Sequence, residues 1–171
     1  ANIAVGRIRW DDVVYWPSQE GLEQFSMRSG DIVLGMDRPW IADGLRIAQL
    51  SNDDTPCLLL QRVAALRAND ALRPDHLIKL LMSEAFYHHC APEMTGVSVP
   101  HISPAQVGDF VIAMPPPAEQ REIELAVRTK TDQITALVAE AEAAIVLLQE
   151  RRAALISAAV TGKIDVRGIV P

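Results

Sequence analysis

A stretch of 43 residues, 118–160, contains neither glycine nor proline and directly follows three prolines, Pro115–Pro117. It is rich in Ala, Glu, Leu, Ile and Arg, which favour the helix intrinsically, so it predicts one long α-helix. At 1.5 Å per residue, such a helix is roughly 65 Å long. Three consecutive prolines remove three backbone donors and favour an extended spacer. We therefore expect residues 115–117 to be a linker and Gly162 to end the helix.

Apolar residues recur along this stretch at the seven-residue spacing of a coiled-coil seam. A preceding domain of about 115 residues is too small to cover a helix of this length, so the seam needs a partner helix. The predicted pairing residues are Val127, Ile134, Leu137, Ala141, Ile145, Leu148 and Leu155.

Residues 1–114 have a different texture, with short apolar runs broken by Gly, Pro, Asp and Asn. This pattern is typical of short strands and loops. The continuous apolar run Leu58–Leu60 indicates burial on both faces. A helix is predicted from Pro74 to about His89, where Pro92 stops it. The predicted strands are 32–34, 45–50, 58–66 and 110–112, with a loop at 95–100.

Together these patterns predict an α+β chain. A small mixed α/β domain occupies residues 1–114, the proline linker 115–117, the long helix 118–160 and a C-terminal tail 161–171. The chain opens at Ala1, without an initiator Met and as if in mid-strand, so we expect either a fragment, with the first strands of the domain missing, or a processed product.

The overall composition excludes several classes of protein. Of the 171 residues, 49% are apolar and the net charge is −6, which argues against disorder. Two cysteines cannot form a disulfide framework and fit a reducing compartment. No apolar run approaches the roughly 20 residues that cross a bilayer. We expect a soluble, cytoplasmic protein that does not bind membranes.

No catalytic motif is present. The sequence lacks a phosphate-binding loop, a nucleophile elbow and a dinucleotide fingerprint. His88, His89 and Cys90, with Cys57 and His101, are the best metal candidates, but adjacent histidines on a helix point to different faces. We therefore expect no metal, with the histidines partly exposed and Cys90 packed inward.

Basic and aromatic residues lie in the predicted loops. Arginine forks can contact guanine edges or phosphates, and Trp40 offers a flat apolar surface. The alternative is structural: an arginine paired with Asp37 or Asp43, and a tryptophan that caps the core. Arg7 and Arg9 are predicted to share one strand face. The candidates for contact with DNA are Arg7, Arg9, Arg38, Trp40, Arg46, Ser98 and His101.

Two segments carry a family resemblance. Residues 115–123 (PPPAEQREI) and 150–166 (ERRAALISAAVTGKIDV) closely resemble the characteristic region of specificity (S) subunits of type I restriction-modification systems. Residues 29–34, 60–64 and 95–103 look like landmarks of that family's target recognition domain. The resemblance extends over nearly the whole chain.

The resemblance implies a DNA-reading subunit that is not itself an enzyme. In that family, each recognition domain reads one half of a bipartite target in double-stranded DNA. The helices pair antiparallel and recruit methyltransferase (M) subunits, through which the motor and restriction (R) subunit joins. No cofactor is then expected in this chain, because S-adenosylmethionine, ATP and Mg belong to the partner subunits.

One recognition domain and one helix form half of a complete subunit. The chain is therefore either part of a two-domain subunit or a half-subunit that pairs with a second copy of itself. The acidic charge favours a competing interpretation, a coiled-coil scaffold or dimerisation module that binds no DNA. Residues 1–116 hold 9 Lys and Arg against 14 Asp and Glu, giving −5, whereas residues 117–171 give −1. The domain alone should therefore bind random DNA weakly.

Overall fold

A computed structural model describes residues 2–11, 13–17, 20–94, 99–165 and 167. The chain divides into two compact units, Ala1–Glu124 and Leu125–Pro171. The first unit contains both β-sheets and the short helices, and the second contains most of one long helix. The predicted loop at 95–100 falls largely outside the described residues.

Within the described residues, five short strands form two antiparallel sheets. The larger sheet has the order β4-β1-β5, with Ile32 of β1 opposite Gln49 of β4 and Leu66 of β5. The smaller sheet is the hairpin β2-β3, in which Trp40 faces Leu45. The strands are β1 Ile32–Gly35, β2 Trp40–Ile41, β3 Gly44–Leu45, β4 Ile47–Gln49 and β5 Val63–Leu66.

The helices follow the sheets along the chain. They are α1 Pro74–Leu81, α2 Glu84–Met94, α3 Pro104–Gly108 and α4 Pro117–Val160, with single 3-10 turns at Glu23–Phe25 and Asn52–Asp54. The predicted α+β class and the long helix are both confirmed. Gly162, with φ +72°, follows the end of α4 in the left-handed conformation that favours glycine after a helix.

The central strand β1 buries both of its faces, because successive side chains of a strand point in opposite directions. Ile32 and Leu34 pack with Phe86 and other residues of α1 and α2 in one apolar cluster. Val33 packs in a second cluster with Ile3, Met27, Ala48 and Leu50. The N-terminal segment and the helices α1 and α2 are thereby packed on opposite faces of the same sheet.

The prediction that Leu58–Leu60 is buried on both faces is wrong. The exposed fractions of Leu58 and Leu60 are 37% and 65%, and regular pairing with β1 begins only at Val63. A predicted strand at 110–112 is also wrong: these residues have no regular structure, and Val111 is 90% exposed. In both places, apolar character did not correspond to a partner strand.

The predicted helix 74–89 is in fact two helices. α1 ends at Leu81, and the Ser83 hydroxyl donates to Leu80 O (2.6 Å) before α2 begins. Pro92 does not stop α2, which continues to Met94. Phe86 and Cys90 of α2 are completely buried. Their packing therefore outweighs the loss of one helical hydrogen bond at the proline.

The first turns of α4 belong to the same compact unit as the sheets. The Gln120 side chain is 0% exposed and donates hydrogen bonds to the backbone oxygens of Ala71 (2.8 Å) and Pro115 (2.7 Å). Glu124 accepts from the Arg73 guanidinium at 3.0 Å. The compact unit therefore extends beyond the prolines into the helix.

The apolar side chains of the predicted seam are exposed in the single chain. Ile134, Leu137 and Leu148 expose 61%, 64% and 62% of their surface. No described helix has the combination of length and apolar character that crossing a bilayer requires.

Candidate nucleic-acid interface

Four of the seven candidate DNA contacts surround one open cleft of about 560 Å³ in the first unit. The sequence separates these four arginines by up to 39 positions, and the fold brings them together. The cleft is lined by Ile3, Ala4, Val5, Arg7, Arg9, Arg38, Ile41, Asp43 and Arg46. With four arginines against one aspartate, the cleft is locally basic in a domain whose net charge is negative.

Arg7 and Arg9 lie on a tight turn at the start of the chain. A single antiparallel bridge joins Ile3 to Ile8, and Gly6, with φ +73°, makes the turn. The Gly6 N–H donates to Ile47 O of β4 at 2.8 Å, which fixes the turn to the larger sheet. The predicted regular strand is therefore a turn, but both arginines are exposed on it.

Arg38 and Arg46 have different roles in the cleft. Arg38 is exposed, and its side chain forms no hydrogen bond or ion pair with a described residue. Arg46 is half-buried, and its Nε and Nη1 donate to Ile3 O (2.9 Å) and Asp37 O (3.1 Å). Arg46 thus joins the walls of the cleft, whereas Arg38 leaves its guanidinium donors available.

Trp40 follows the alternative interpretation from the sequence, in which it caps the core. It is half-buried, and its ring centroid lies 5.8 Å from that of Phe86 and 5.2 Å from that of Tyr87. These edge and tilted contacts are favourable arrangements of aromatic rings. Trp40 anchors the hairpin whose tip carries Ile41 and Asp43 to the rim of the cleft.

Asp37 binds the side chains of His101 and Arg62 beside the cleft. Its Oδ1 lies 2.8 Å from Nδ1 of His101, and its Oδ2 accepts from Nη1 of Arg62 at 2.7 Å. The hydrogen bond with His101, and to a smaller extent the one with Arg62, holds the pKa of the Asp37 carboxyl below its usual value. The partners of Asp37 are therefore Arg62 and His101, not Arg38.

Sequence reasoning missed Arg62, which lies 25 positions after Asp37. Its backbone φ of +66° is rare for a residue other than glycine. Nothing in the local sequence predicts that angle or the contact with Asp37. Of the other candidates, His101 is held beside the cleft by the contact of its ring with Asp37. Ser98 lies outside the described residues.

The metal candidates are separated or occupied otherwise. Cys90 is completely buried, and Nε2 of the exposed His89 lies 2.9 Å from the backbone oxygen of Gln106. Among the residues that the structure describes, no group of three His, Cys, Asp or Glu side chains could hold a metal ion.

Comparison with known proteins agrees with the resemblance. No protein-family model matches the sequence. The chain is 34% identical over 125 residues to the type I restriction enzyme EcoAI specificity subunit of Escherichia coli, covering 72% of this chain and 21% of that protein. It is 27% identical over 171 residues to the type I restriction enzyme MjaVIII specificity subunit of Methanocaldococcus jannaschii, covering 98% of this chain and 39% of the relative. The chain is a homologue of type I specificity subunits.

Two solved structures resemble this chain in fold as well as in sequence. The HsdS subunit from Thermoanaerobacter tengcongensis matches with a TM-score of 0.57 and 25% identity, over 66% of this chain and 28% of that one. A chain from a structure describing complex assembly and conformational transition of the type I R-M system matches with a TM-score of 0.61 and 27% identity, over 77% and 34%.

This specificity-subunit homologue spans well under half the length of the curated relatives it matches. Both relatives are named as specificity subunits, the non-catalytic class that the resemblance implied.

Proposed function

We propose that residues 1–124 read one half of a bipartite target in double-stranded DNA. The observation that carries this proposal is the convergence of four arginines on one open cleft in an acidic domain. Four positive charges around one cleft attract a polyanion such as DNA.

The cleft arginines offer the donor geometry that DNA requires. An arginine fork fits the O6 and N7 acceptors of guanine or the oxygens of a phosphate. Arg7 and Arg38 support this role most directly, since both are exposed and neither side chain is bonded to a described residue. Ser98 and His101 remain candidate contacts from the sequence, and Arg46 joins the cleft walls through its hydrogen bonds to Ile3 O and Asp37 O.

The acidic balance of the domain fits a division of work within a complex. Phosphate attraction that is independent of sequence comes mainly from partner subunits, whereas this chain supplies a local basic surface and the choice of sequence. The isolated chain should therefore bind random duplex weakly at physiological salt.

The proposal also covers assembly, and the exposed seam of α4 supports this part of it. It pairs with the helix of a second recognition half, or with a second copy of this chain, and the paired helices recruit methyltransferase (M) subunits. The restriction (R) subunit joins through them. S-adenosylmethionine, ATP and Mg act in those partners, and the complex works in the cytoplasm.

Exchange of the recognition domain tests the proposal. Residues 1–124 are replaced by those of another specificity subunit, the chimera is produced with its M subunits, and methylated sites in the host DNA are sequenced. The junction follows Glu124 because Gln120 and Glu124 both bind the domain through Arg73. One half of the methylated sequence should change in a two-domain subunit, and both halves in a self-paired one.

The control chimera exchanges residues 125–160 alone and should leave the sequence of each half unchanged. A domain exchange that leaves both halves as they were would contradict the proposal. In that case, a complex that still contains M subunits would favour the scaffold that binds no DNA.

A further inference from the structure

Asp37 is an acidic residue beside the cleft that the proposed function assigns to DNA, and its backbone oxygen accepts from the cleft residue Arg46. We propose that it is a positioning residue, which holds Arg62 and His101 in the geometry for target contact. Its negative charge then strengthens sequence recognition. This inference rests on the proposed function and gives a part in target contact to Asp37 and Arg62, neither of which was among the DNA contacts predicted from the sequence.

Three segments of the chain meet at Asp37. Its carboxylate accepts from Arg62 at 2.7 Å and lies 2.8 Å from the His101 ring, and its backbone oxygen accepts from Arg46 at 3.1 Å. Arg62 and His101 are 25 and 64 positions away along the chain. A single aspartate therefore fixes the relative positions of groups that the local sequence leaves independent.

The backbone around Asp37 is fixed on both sides. Ile102 N–H donates to Met36 O (3.0 Å) and Arg38 N–H to Pro100 O (2.7 Å), so Asp37 and His101 form an antiparallel bridge. On the other side, Met36 N–H donates to Arg62 O at 2.9 Å.

Two arginines next to these bonds adopt left-handed backbone conformations, with φ +45° at Arg38 and +66° at Arg62. Residues with a Cβ rarely adopt this region, so the surrounding contacts must hold them there. Such residues cluster at functional sites, where the held geometry is part of the function.

The exposure of the cluster argues against a role in stability alone. The side chains of Arg62 and His101 are 71% and 49% exposed, and that of Asp37 is 28% exposed. Ion pairs this open to water contribute little to folding. The pairing restricts the rotation of both side chains. Arg62 keeps its other N–H donors available for DNA, and His101, which is held through Nδ1, keeps Nε2 available.

A charge argument and the positioning proposal predict opposite results for loss of the Asp37 carboxylate. Considered only as a charge near DNA, the carboxylate repels phosphates, so its removal should tighten binding to any duplex. If Asp37 positions its partners, its removal frees them, and binding to the target should weaken.

Asp43 provides a matched control. It lines the cleft beside which Asp37 lies, is exposed, and forms no hydrogen bond or ion pair with a described residue. Asp37→Asn and Asp43→Asn thus remove the same charge at or beside the cleft, but only the first removes a positioning contact.

The test uses the assembled complex with M subunits. Dissociation constants are measured by fluorescence anisotropy for two duplexes of equal length. One contains the target sequence found by sequencing the methylated sites, and the other is scrambled. We expect Asp37→Asn to weaken target binding about tenfold, the loss of one good contact, without weakening binding to the scrambled duplex. Asp43→Asn should bind both duplexes at least as tightly as the wild type does.

Arg62→Ala gives an independent reading if Asp37→Asn folds poorly. It should also weaken target binding, and the double variant should lose little more than Asp37→Asn, because both changes remove one coupled unit. Equal behaviour of Asp37→Asn and Asp43→Asn, or no effect of Arg62→Ala, would overturn the inference. A wild-type complex that does not distinguish the two duplexes would overturn the proposed function instead.

Discussion

The side-chain oxygen of Gln120 accepts a 2.9 Å hydrogen bond from the backbone N–H of Arg73, 47 positions earlier in the chain. The amide nitrogen of the same side chain donates to Ala71 and Pro115. Gln120 therefore satisfies backbone groups in the segment just before α1 and in the proline segment. The motif that supports the family resemblance contains this glutamine, and its position explains why a long polar side chain is needed.

Gln120→Ala should lower the free energy of unfolding by about 2–4 kcal/mol, because three backbone groups lose their partner and a buried volume is emptied. Urea unfolding followed by circular dichroism measures the change. Glu119→Ala is the control: Glu119 is the exposed neighbour, and its loss should change stability by less than about 0.5 kcal/mol. Equal effects of the two substitutions would show that Gln120 is not a structural anchor.

Replacing Arg7 and Arg38 together by alanine should weaken binding of the assembled complex to its target duplex. The salt dependence discriminates the kind of contact. If both arginines bind phosphates, the slope of log K against log salt should fall by about 2, whereas base contacts would relax the sequence preference. Lys79→Ala removes a positive charge from an exposed position on α1 away from the cleft residues, and should leave the binding nearly unchanged.

Leu148→Asp should prevent pairing of the long helix, because it places a carboxylate in the predicted apolar seam. Sedimentation velocity of the chain with its M subunits measures the loss of complex. Gln149→Asp introduces the same group one residue along, about 100° around the helix and off the seam. If both variants assemble alike, the seam is not the pairing surface.

The contribution of Asp31 to stability should disappear in acid. Its carboxylate is 3% exposed and accepts from Arg67 at 2.6 and 2.5 Å and from Arg28 N–H at 2.9 Å. The Arg67 hydrogen bonds lower its pKa from the usual 3.8, against the opposing effect of burial. A group with a lowered folded pKa stabilises fully above its unfolded pKa, and the benefit is lost as the pH falls through the folded one.

Asp31→Asn should therefore be less stable than the wild type at pH 7, with a difference that shrinks once the pH falls below about 4. Urea unfolding between pH 7 and pH 3 measures it. Asp70→Asn, at an exposed position without a described side-chain partner, should show no such convergence. A difference that stays constant down to pH 3 would contradict the role assigned to the Arg67 pair.

The sequence predicted local structure best where one physical rule dominates. In α4, the absence of glycine and proline over many turns leaves helix as the favourable backbone state, and the structure has it within one residue of the predicted start. At Leu58–Leu60 the same apolar character was misleading, because burial depends on a neighbouring strand, and pairing with β1 begins only at Val63. Periodicity reports what a segment prefers, whereas the register of the sheet decides what it meets.

The candidate site divides in the same way. Arg7, Arg9, Arg38 and Arg46 could be proposed from their residue type and loop context, and the fold brings all four to one cleft. Arg62 could not, because its place beside Asp37 depends on pairing between segments distant in sequence and on a backbone angle that arginine rarely adopts. Trp40 carried two interpretations, and its contacts with the rings of Phe86 and Tyr87 are those that the core-capping interpretation predicts.

The open side of the cleft consists of side chains that the core does not use. Arg7, Arg9 and Arg38 are exposed, and none belongs to either apolar cluster. Exposed positions of this kind tolerate replacement with changes in folding free energy of about 0.5 kcal/mol or less. If the cleft binds DNA as we propose, such a domain can exchange one target for another by a few surface mutations over the same sheet and helices, so new specificities are accessible in small steps.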